Sequence, residues 1–276
     1  MDGLARAEAK GITAPINFTM PMAEKPYSYN YEPPPGVPPR NTKEETHTVT
    51  IRDGRAVNDQ LSLDREGFRL VRHPTAAKDL YDEDEITRVY YPECAELIKR
   101  ETGARRVHVF DHIVRNAALM AKGNRIKGYA GRVHNDYTAW SAPQRVRDLM
   151  GAEAEELLKH RYAEINLWRP IRGPLLRSPL ALCDATTLSE ENLVGSDLRY
   201  PDRTGETYAV TYNPAQRWYY FPKMQRDEVV LIRCFDSARS GAARFSAHGA
   251  FDDPATPPDA PPRESIETRA LVFFAD

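Results

Sequence analysis

The chain has 276 residues, 41% of them hydrophobic and 28% charged, with a formal net charge of −2. That is an ordinary globular composition, enough for one large domain or two small ones, without the basic excess of a general nucleic-acid binder. No run approaches the roughly 18 apolar residues that cross a bilayer, Met1 to Lys10 lacks the apolar core of a secretory signal, and three scattered cysteines (Cys94, Cys183, Cys234) form neither a disulfide framework nor a CxxC zinc motif.

Residues 1–45 show little apolar periodicity. Tyr27, Tyr29 and Tyr31 run into Pro33-Pro34-Pro35 and Pro38-Pro39, which reads as an extended arm with polyproline II character. Such an arm packs on the body of its own chain or on a partner subunit, so self-association through it is an expectation. Residues 46–276 then read as a single domain. Thr48-Val49-Thr50-Ile51 is a strand with a hairpin turn at Asp53-Gly54, and Gly67 to Val71 is a second strand. Asp82 to Arg100 has helical spacing, with Pro92 expected to break or kink it. Val107 to Val114 alternates as a strand.

Arg132 to Thr138 reads as a strand end. Side chains at i and i+2 of a strand share a face, so His134 and Asp136 converge on one metal ion without backbone contortion. The next stretch, Ala142 to Tyr162, reads as a helix with Ser141 as its cap and Pro143 in its first turn. Strands follow at Ala163 to Trp168, Pro179 to Cys183, Tyr208 to Tyr212, Arg217 to Phe221 and Glu228 to Phe235, and the chain closes on Ser265 to Phe274. Helices early and strands late fit a mostly β barrel or sandwich with flanking helices.

Such a core brings distant strands together at one mouth, where His248 joins the pair. Small neighbours (Ser246, Ala247, Gly249) leave room around its ring. Two histidines and one carboxylate with open positions form the facial triad of non-haem Fe(II) oxygenases. The blander readings are a surface hydrogen-bonding pair and a loop histidine. Further on, Arg263 opens a strand and Ser265 faces the same way, a fork and hydroxyl suited to a planar carboxylate. Arg269 lies on the same strand face and competes for that role. Asn166 and Arg169 flank Trp168, and either of the polar pair is placed to hydrogen-bond cosubstrate or substrate. His112 and Arg115 end the preceding strand, while Tyr137 and Trp140 are placed to wall a pocket.

With these residues in view, the chain resembles the iron- and 2-oxoglutarate-dependent oxygenases. Asp64 to His73 (DREGFRLVRH) is similar to an N-terminal strand of that superfamily. A closer resemblance is to the CmcJ/AsaB-like hydroxylase/desaturase family of secondary metabolism. It rests on Val133 to Thr138, Asn166 to Ile171, Arg217 to Met224, Phe235-Asp236-Ser237 and Pro261 to Glu267, in the family's order, and spans roughly residues 60–275. It implies a double-stranded β-helix (jelly-roll, cupin-like) core, with Fe(II), 2-oxoglutarate and O2 as cofactors. The implied activity is hydroxylation, desaturation or cyclisation of a small natural-product or amino-acid-derived substrate; cysteine usage adds the expectation of a reducing cytoplasm, and charge and hydropathy that of no nucleic-acid or membrane partner. No glycine-rich S-adenosylmethionine loop is present, so the methyltransferase label given to some members does not carry over. Two alternatives stand beside this reading: a jelly-roll protein that binds a small molecule or metal without catalysis, and a cupin-type metalloenzyme independent of 2-oxoglutarate.

Overall fold

A computed structural model describes residues 10–116, 119, 131–241 and 243–275. Its strands are β1 (Gly11–Thr19), β2 (Tyr27–Tyr29), β3 (Glu44–Asp53), β4 (Phe68–Arg72), β5 (Arg106–Asn116), β6 (His134–Asn135) and β7 (Tyr162–Pro170). They continue with β8 (Leu180–Cys183), β9 (Leu193–Arg199), β10 (Thr204–Val210), β11 (Trp218–Tyr220), β12 (Glu228–Asp236), β13 (His248–Ala250) and β14 (Glu264–Phe273). Two helices matter for the site's surroundings, α1 (Tyr91–Thr102) and α2 (Ser141–Met150).

Five strands form an antiparallel sheet in the order β4-β12-β7-β14-β5, and nine form a mixed sheet in the order β1-β3-β11-β8-β13-β6-β10-β9-β2. The sheets face each other across an apolar interior that includes Phe68, Leu70, Trp168, Leu182, Tyr219, Ile232 and Leu271. This is the mostly β, jelly-roll arrangement expected from the sequence. The outer face of the five-stranded sheet is covered by α1 and its approach, where Ile86, Tyr90, Leu97 and Ile98 meet Ile165, Leu167, Val229, Ile266 and Val272. β7 is therefore buried at every position, with Ala163, Ile165 and Leu167 facing the helix and Glu164, Asn166 and Trp168 facing inward. The polar side chains on that inward face turn part of the interior into a site.

The nine-stranded sheet curls. A parallel bridge between Asn17 and Arg132, with Val133 N donating to Asn17 O at 2.9 Å, brings β1 back to the strand that carries His134. The curl encloses a third cluster containing Ile16, Phe18, Ile51, Cys183, Trp218 and Phe251. Residues expected to form an extended arm thus include β1, paired along its length with β3, and β2, paired with β9 of the same chain.

Other expectations shift for local reasons. Asp53-Gly54 does not turn a hairpin, because β3 is flanked by β1 and β11 and the chain leaves the sheet through a 3-10 helix, Gly54–Gln60, capped by Asp53. Pro92 neither breaks nor ends its helix. A π turn over Ile86–Tyr90 sets the Tyr91 amide on Ile86 O, so Pro92, lacking an N–H, falls in the first turn of α1. The second helix stops at Met150, where Gly151 takes φ +53°, and only short turns follow to Leu157. Ser141 is not its cap; Thr138 Oγ1 accepts from the amides of Trp140 and Ser141 instead.

β13 lies unusually close to its neighbour. A Cβ on Gly249 would sit 3.2 Å from both N and Cα of Val133, so glycine permits the approach. Gly249→Ala is expected to destabilise the protein by about 1–3 kcal/mol through overpacking, read from urea unfolding midpoints. Unchanged stability would show that the strands have slack there.

Candidate metal centre and substrate cavity

β6 and β13 are antiparallel neighbours, and the residues directly opposite each other are His134 and His248. Opposed residues in such a pair project to one face, and the two rings stand 4.7 Å apart between centroids. Each Nδ1 lies 3.0 Å from a main-chain carbonyl, Arg132 O for His134 and Ser246 O for His248. A carbonyl only accepts, so Nδ1 carries the proton of each neutral ring and both Nε2 lone pairs face the interior. Asp136, just past the strand, brings Oδ1 to 3.4 Å from His134 Nε2. One ligand atom from each of the three residues lies within 4.8 Å of the others.

Neighbours hold this set in place. Asn166 Nδ2 donates to Asp136 Oδ2 at 2.6 Å and to Glu267 Oε1 at 2.9 Å, leaving Oδ1 of the aspartate toward the histidines. Asn135, fully buried, donates to Tyr137 O at 2.6 Å and Cys234 O at 2.7 Å and accepts from Ser246 N at 3.2 Å. It ties the segment carrying His134 and Asp136 to the segment carrying His248. Burial pulls the His134 pKa down, but its hydrogen bond and charge interaction with Asp136 outweigh this and raise it. Burial also pushes Asp136 up, yet His134, His248 and Arg269 together hold its carboxyl far below the usual range. For His248, burial and then His134 lower the pKa.

The donor set fits a divalent iron. Two neutral imidazole nitrogens and one carboxylate oxygen converge, their far sides fixed by hydrogen bonds, as metal-ligating groups generally are. His248 Nε2 is buried and has no hydrogen-bond partner among the described residues; the nearest acid, Glu267 Oε1, stands 3.9 Å away. A bare lone pair of this kind is costly unless something binds it.

His134 and Asp136 open onto a cavity of about 850 Å³. Of the residues expected to meet substrate, Arg115, Tyr137 and Trp140 line it, and so does Arg269. Strand parity turns His112 and Arg169 the other way. His112 bonds Tyr91 OH under the helix layer, and Arg169 donates to His73 O and lies over the Tyr90 ring. Trp168 faces inward but not into this cavity; its ring packs against the Arg263 guanidinium at 5.5 Å. Ser265 is buried on the inner face of β14 and Arg263 is buried just ahead of the strand, with Arg263 Nη1 donating to Ser178 O at 2.8 Å and Ser265 Oγ lacking a hydrogen-bond partner among the described residues. Arg269 is clasped by both oxygens of Asp111.

The family model described as an oxidoreductase/YMDC permease-like domain matches residues 16–273. The hydroxylase/desaturase efuI of Hormonema carpetanum is 35% identical over 257 residues, covering 85% of this chain and 86% of the relative. The Fe(II)/2-oxoglutarate-dependent dioxygenase nvfI of Aspergillus novofumigatus is 34% identical over 256 residues, covering 89% and 90%. A solved structure of the iron and alpha-ketoglutarate-dependent endoperoxidase NvfI superposes with a TM-score of 0.87 at 29% identity, over 96% of this chain and 99% of that one. The chain belongs to the hydroxylase/desaturase family of Fe(II)/2-oxoglutarate-dependent oxygenases. Among the described residues no helix of this oxygenase is long and apolar enough to cross a membrane.

Several groups around the centre escaped the sequence. Glu267 was visible only as a position on the Arg263–Arg269 face. Glu164 is buried with neither carboxyl oxygen hydrogen-bonded among the described residues, and burial pushes its pKa well up toward the neutral form. Asn17, Ser28, Asn30, Arg40 and Glu44, all from the N-terminal 45 residues, line the cavity. Neither composition nor spacing signals a wall built from so far upstream. Asn135→Ala removes a buried side chain that satisfies three main-chain groups. A loss of about 2–4 kcal/mol in urea unfolding and a roughly 10–100-fold weaker Fe(II) affinity by titration are expected. Wild-type metal affinity in that variant would show that Asn135 does not position the ligands.

Proposed function

We propose that His134, Asp136 and His248 bind the iron of this oxygenase, that Arg263 with Ser265 anchors the far carboxylate of 2-oxoglutarate, and that the 850 Å³ cavity receives a small natural-product or amino-acid-derived substrate. The observation that carries this reading is the convergence of two inward-facing Nε2 atoms and Asp136 Oδ1. Bound there, Fe(II) with O2 and 2-oxoglutarate supplies the power to take hydrogen from an unreactive carbon, as 2-oxoglutarate becomes succinate and CO2. The chain's own residues orient and exclude. Asn166 fixes the free oxygen of Asp136. Ile113, Tyr137 and Trp140 offer apolar surface to the substrate body, and Arg115 offers charge. Hydroxylation, desaturation and ring closure differ in substrate placement on the order of 1 Å.

Arg263 is favoured over Arg269 as the anchor because Asp111 already occupies the Arg269 fork, while Ser265 Oγ waits unbonded beside Arg263 on one strand face. Along β14, Ser265 is one inward position from Glu267, which stands beside His248. That step is roughly 7 Å, a span suited to a short dicarboxylate held at both ends. The three cysteines are buried and free, in keeping with a reducing cytoplasm. Self-association through the N-terminal segment completes the reading and is measured by sedimentation.

Anaerobic addition of Fe(II) and 2-oxoglutarate is expected to give a weak visible charge-transfer band that neither gives alone, lost in His248→Ala with the far-UV spectrum unchanged. Tight metal binding with no band dependent on 2-oxoglutarate would instead favour a cupin-type enzyme that uses no such cosubstrate. Arg263→Ala is expected to raise the apparent KM for 2-oxoglutarate at least about tenfold, the loss of a charge-assisted pair. The same effect in Arg269→Ala but not in Arg263→Ala would transfer the anchor to Arg269.

A further inference from the structure

The cavity wall carries an arginine that neither the triad nor the cosubstrate anchor uses. Arg132 precedes His134 by two residues, so the two side chains leave the backbone on the same side, and both line the cavity. Its backbone is fixed. Arg132 O accepts from His134 Nδ1, Asn17 Nδ2 donates to Gly131 O at 3.1 Å, and β1 bridges to Arg132 itself. Its side chain is only 21% exposed, and Nε and Nη1 are buried with no hydrogen-bond partner among the described residues. The acid closest to it, Glu44, stands at 3.8 Å from Nη1, and the same carboxylate oxygen is held at 3.1 Å by Arg40.

Other arginines of the cavity are engaged differently. Arg269 is clasped by Asp111, Arg145 lies over the Phe110 ring at 4.8 Å, and Arg203 lies over Tyr200 at 4.1 Å. A guanidinium at the wall of an open cavity with two unsatisfied N–H groups, its nearest carboxylate 3.8 Å away and shared with Arg40, is short of an acceptor. A carboxylate or a similarly acidic oxygen answers that fork in shape and charge.

We propose that Arg132 is the docking point for an acidic oxygen group of the substrate, a carboxylate or ionised enol, at the rim of the cavity. The inference deepens the oxygenase reading and rests on it for the identity of the occupant as substrate. It is distinct from the cosubstrate anchor, because Arg132 bridges β1 of the nine-stranded sheet, whereas Arg263 directly precedes β14 of the facing one. It also fixes a direction. Arg132 and His134 have Cα atoms roughly 7 Å apart, so a substrate pinned at Arg132 presents to the metal a carbon several bonds removed from its acid group. Oxidation remote from the acid, rather than beside it, is the regiochemistry this geometry selects.

The test uses 4-phenylbutyrate and its neutral counterpart 4-phenylbutan-1-ol as probes, titrated anaerobically into protein holding Fe(II) and saturating 2-oxoglutarate. Binding is read from the fluorescence of Trp140, which lines the cavity and is 56% exposed, with Trp140→Phe as the blank. The wild type is expected to bind the acid at least about tenfold more tightly than the alcohol, as a charge-assisted pair requires. Arg132→Gln should erase that preference by weakening the acid alone. Arg132→Lys, which keeps the charge and loses the fork, should weaken the acid roughly 3–10-fold and supports the docking point even if the glutamine variant does not fold. Equal affinity of the two probes for the wild type, full preference in either Arg132 variant, or loss of preference only in Arg115→Gln would overturn the proposal. The charge-transfer band of the same wild-type sample separates the two readings. An absent band with an intact preference removes the proposed iron and 2-oxoglutarate site, whereas a normal band without preference removes the docking point.

Discussion

The chemistry of this fold depends on how closely β13 approaches β6. That contact sets His248 directly opposite His134 and delivers two nitrogen donors to one face. Two short strands are a weak ladder by themselves, since β6 spans His134–Asn135 and β13 spans His248–Ala250. The approach is secured by other means. Gly249 presents no Cβ to the Val133 backbone, and the Asn135 side chain accepts from Ser246 N just ahead of β13 while donating to Tyr137 O and to Cys234 O of β12. Asp136 then follows from the alternation of the same strand, one step past its end.

The facing sheet completes the centre by separating its two surfaces. On β7 and β14 the outward residues that serve the helix layer are mostly apolar, Arg169 and Thr268 being exceptions, while Glu164, Asn166, Glu267 and Arg269 lie on the inner side. Such an interior is costly, and its unsatisfied atoms mark where function resides: His248 Nε2, Asn166 Oδ1, Ser265 Oγ and both oxygens of Glu164. Partnering decides what each buried acid does. Asp136 faces two imidazoles and Arg269 and stays ionised, whereas Glu164 is dominated by burial and is driven toward neutrality. Two carboxyls in one interior therefore offer opposite chemistry, one suited as an anionic ligand and the other as a weak donor.

How much of this was legible follows from how local each signal is. The His134–Asp136 pair needed only strand alternation, and the small residues around His248 marked room around its ring, not the close approach of Gly249 to Val133. The jelly-roll class came from the late run of strands together with motif resemblance. Register was not legible, and register decides facing. Without knowing that Thr268 opposes His112 and Ile266 opposes Arg169, nothing in the sequence shows that both polar side chains turn toward the helix layer. The short β13 and the polar β9 escaped the sequence, and β10 was met only at its end, through the strand expected over Tyr208 to Tyr212. The π turn before Pro92 is likewise a response to a missing N–H, seen only once the helix is built.

The N-terminal segment shows most clearly why a local reading stops short. Its apolar residues (Ala14, Ile16 and Phe18) alternate along β1 and pack into the curl of the nine-stranded sheet, which gives the segment its stability. Its intervening polar residue Asn17 meets the Gly131–Arg132 backbone and lines the cavity. One strand thus closes the sheet with one face and shapes the rim with the other. The proposed metal donors stand on β6 and β13 and just past the end of β6, while much of the rim comes from residues 17–44 and 198–207. Rim side chains outside 131–136 can therefore change without disturbing the ligand geometry. Because the outcome of hydrogen removal turns on small differences in placement, that separation lets a fixed iron centre serve different substrates through its walls.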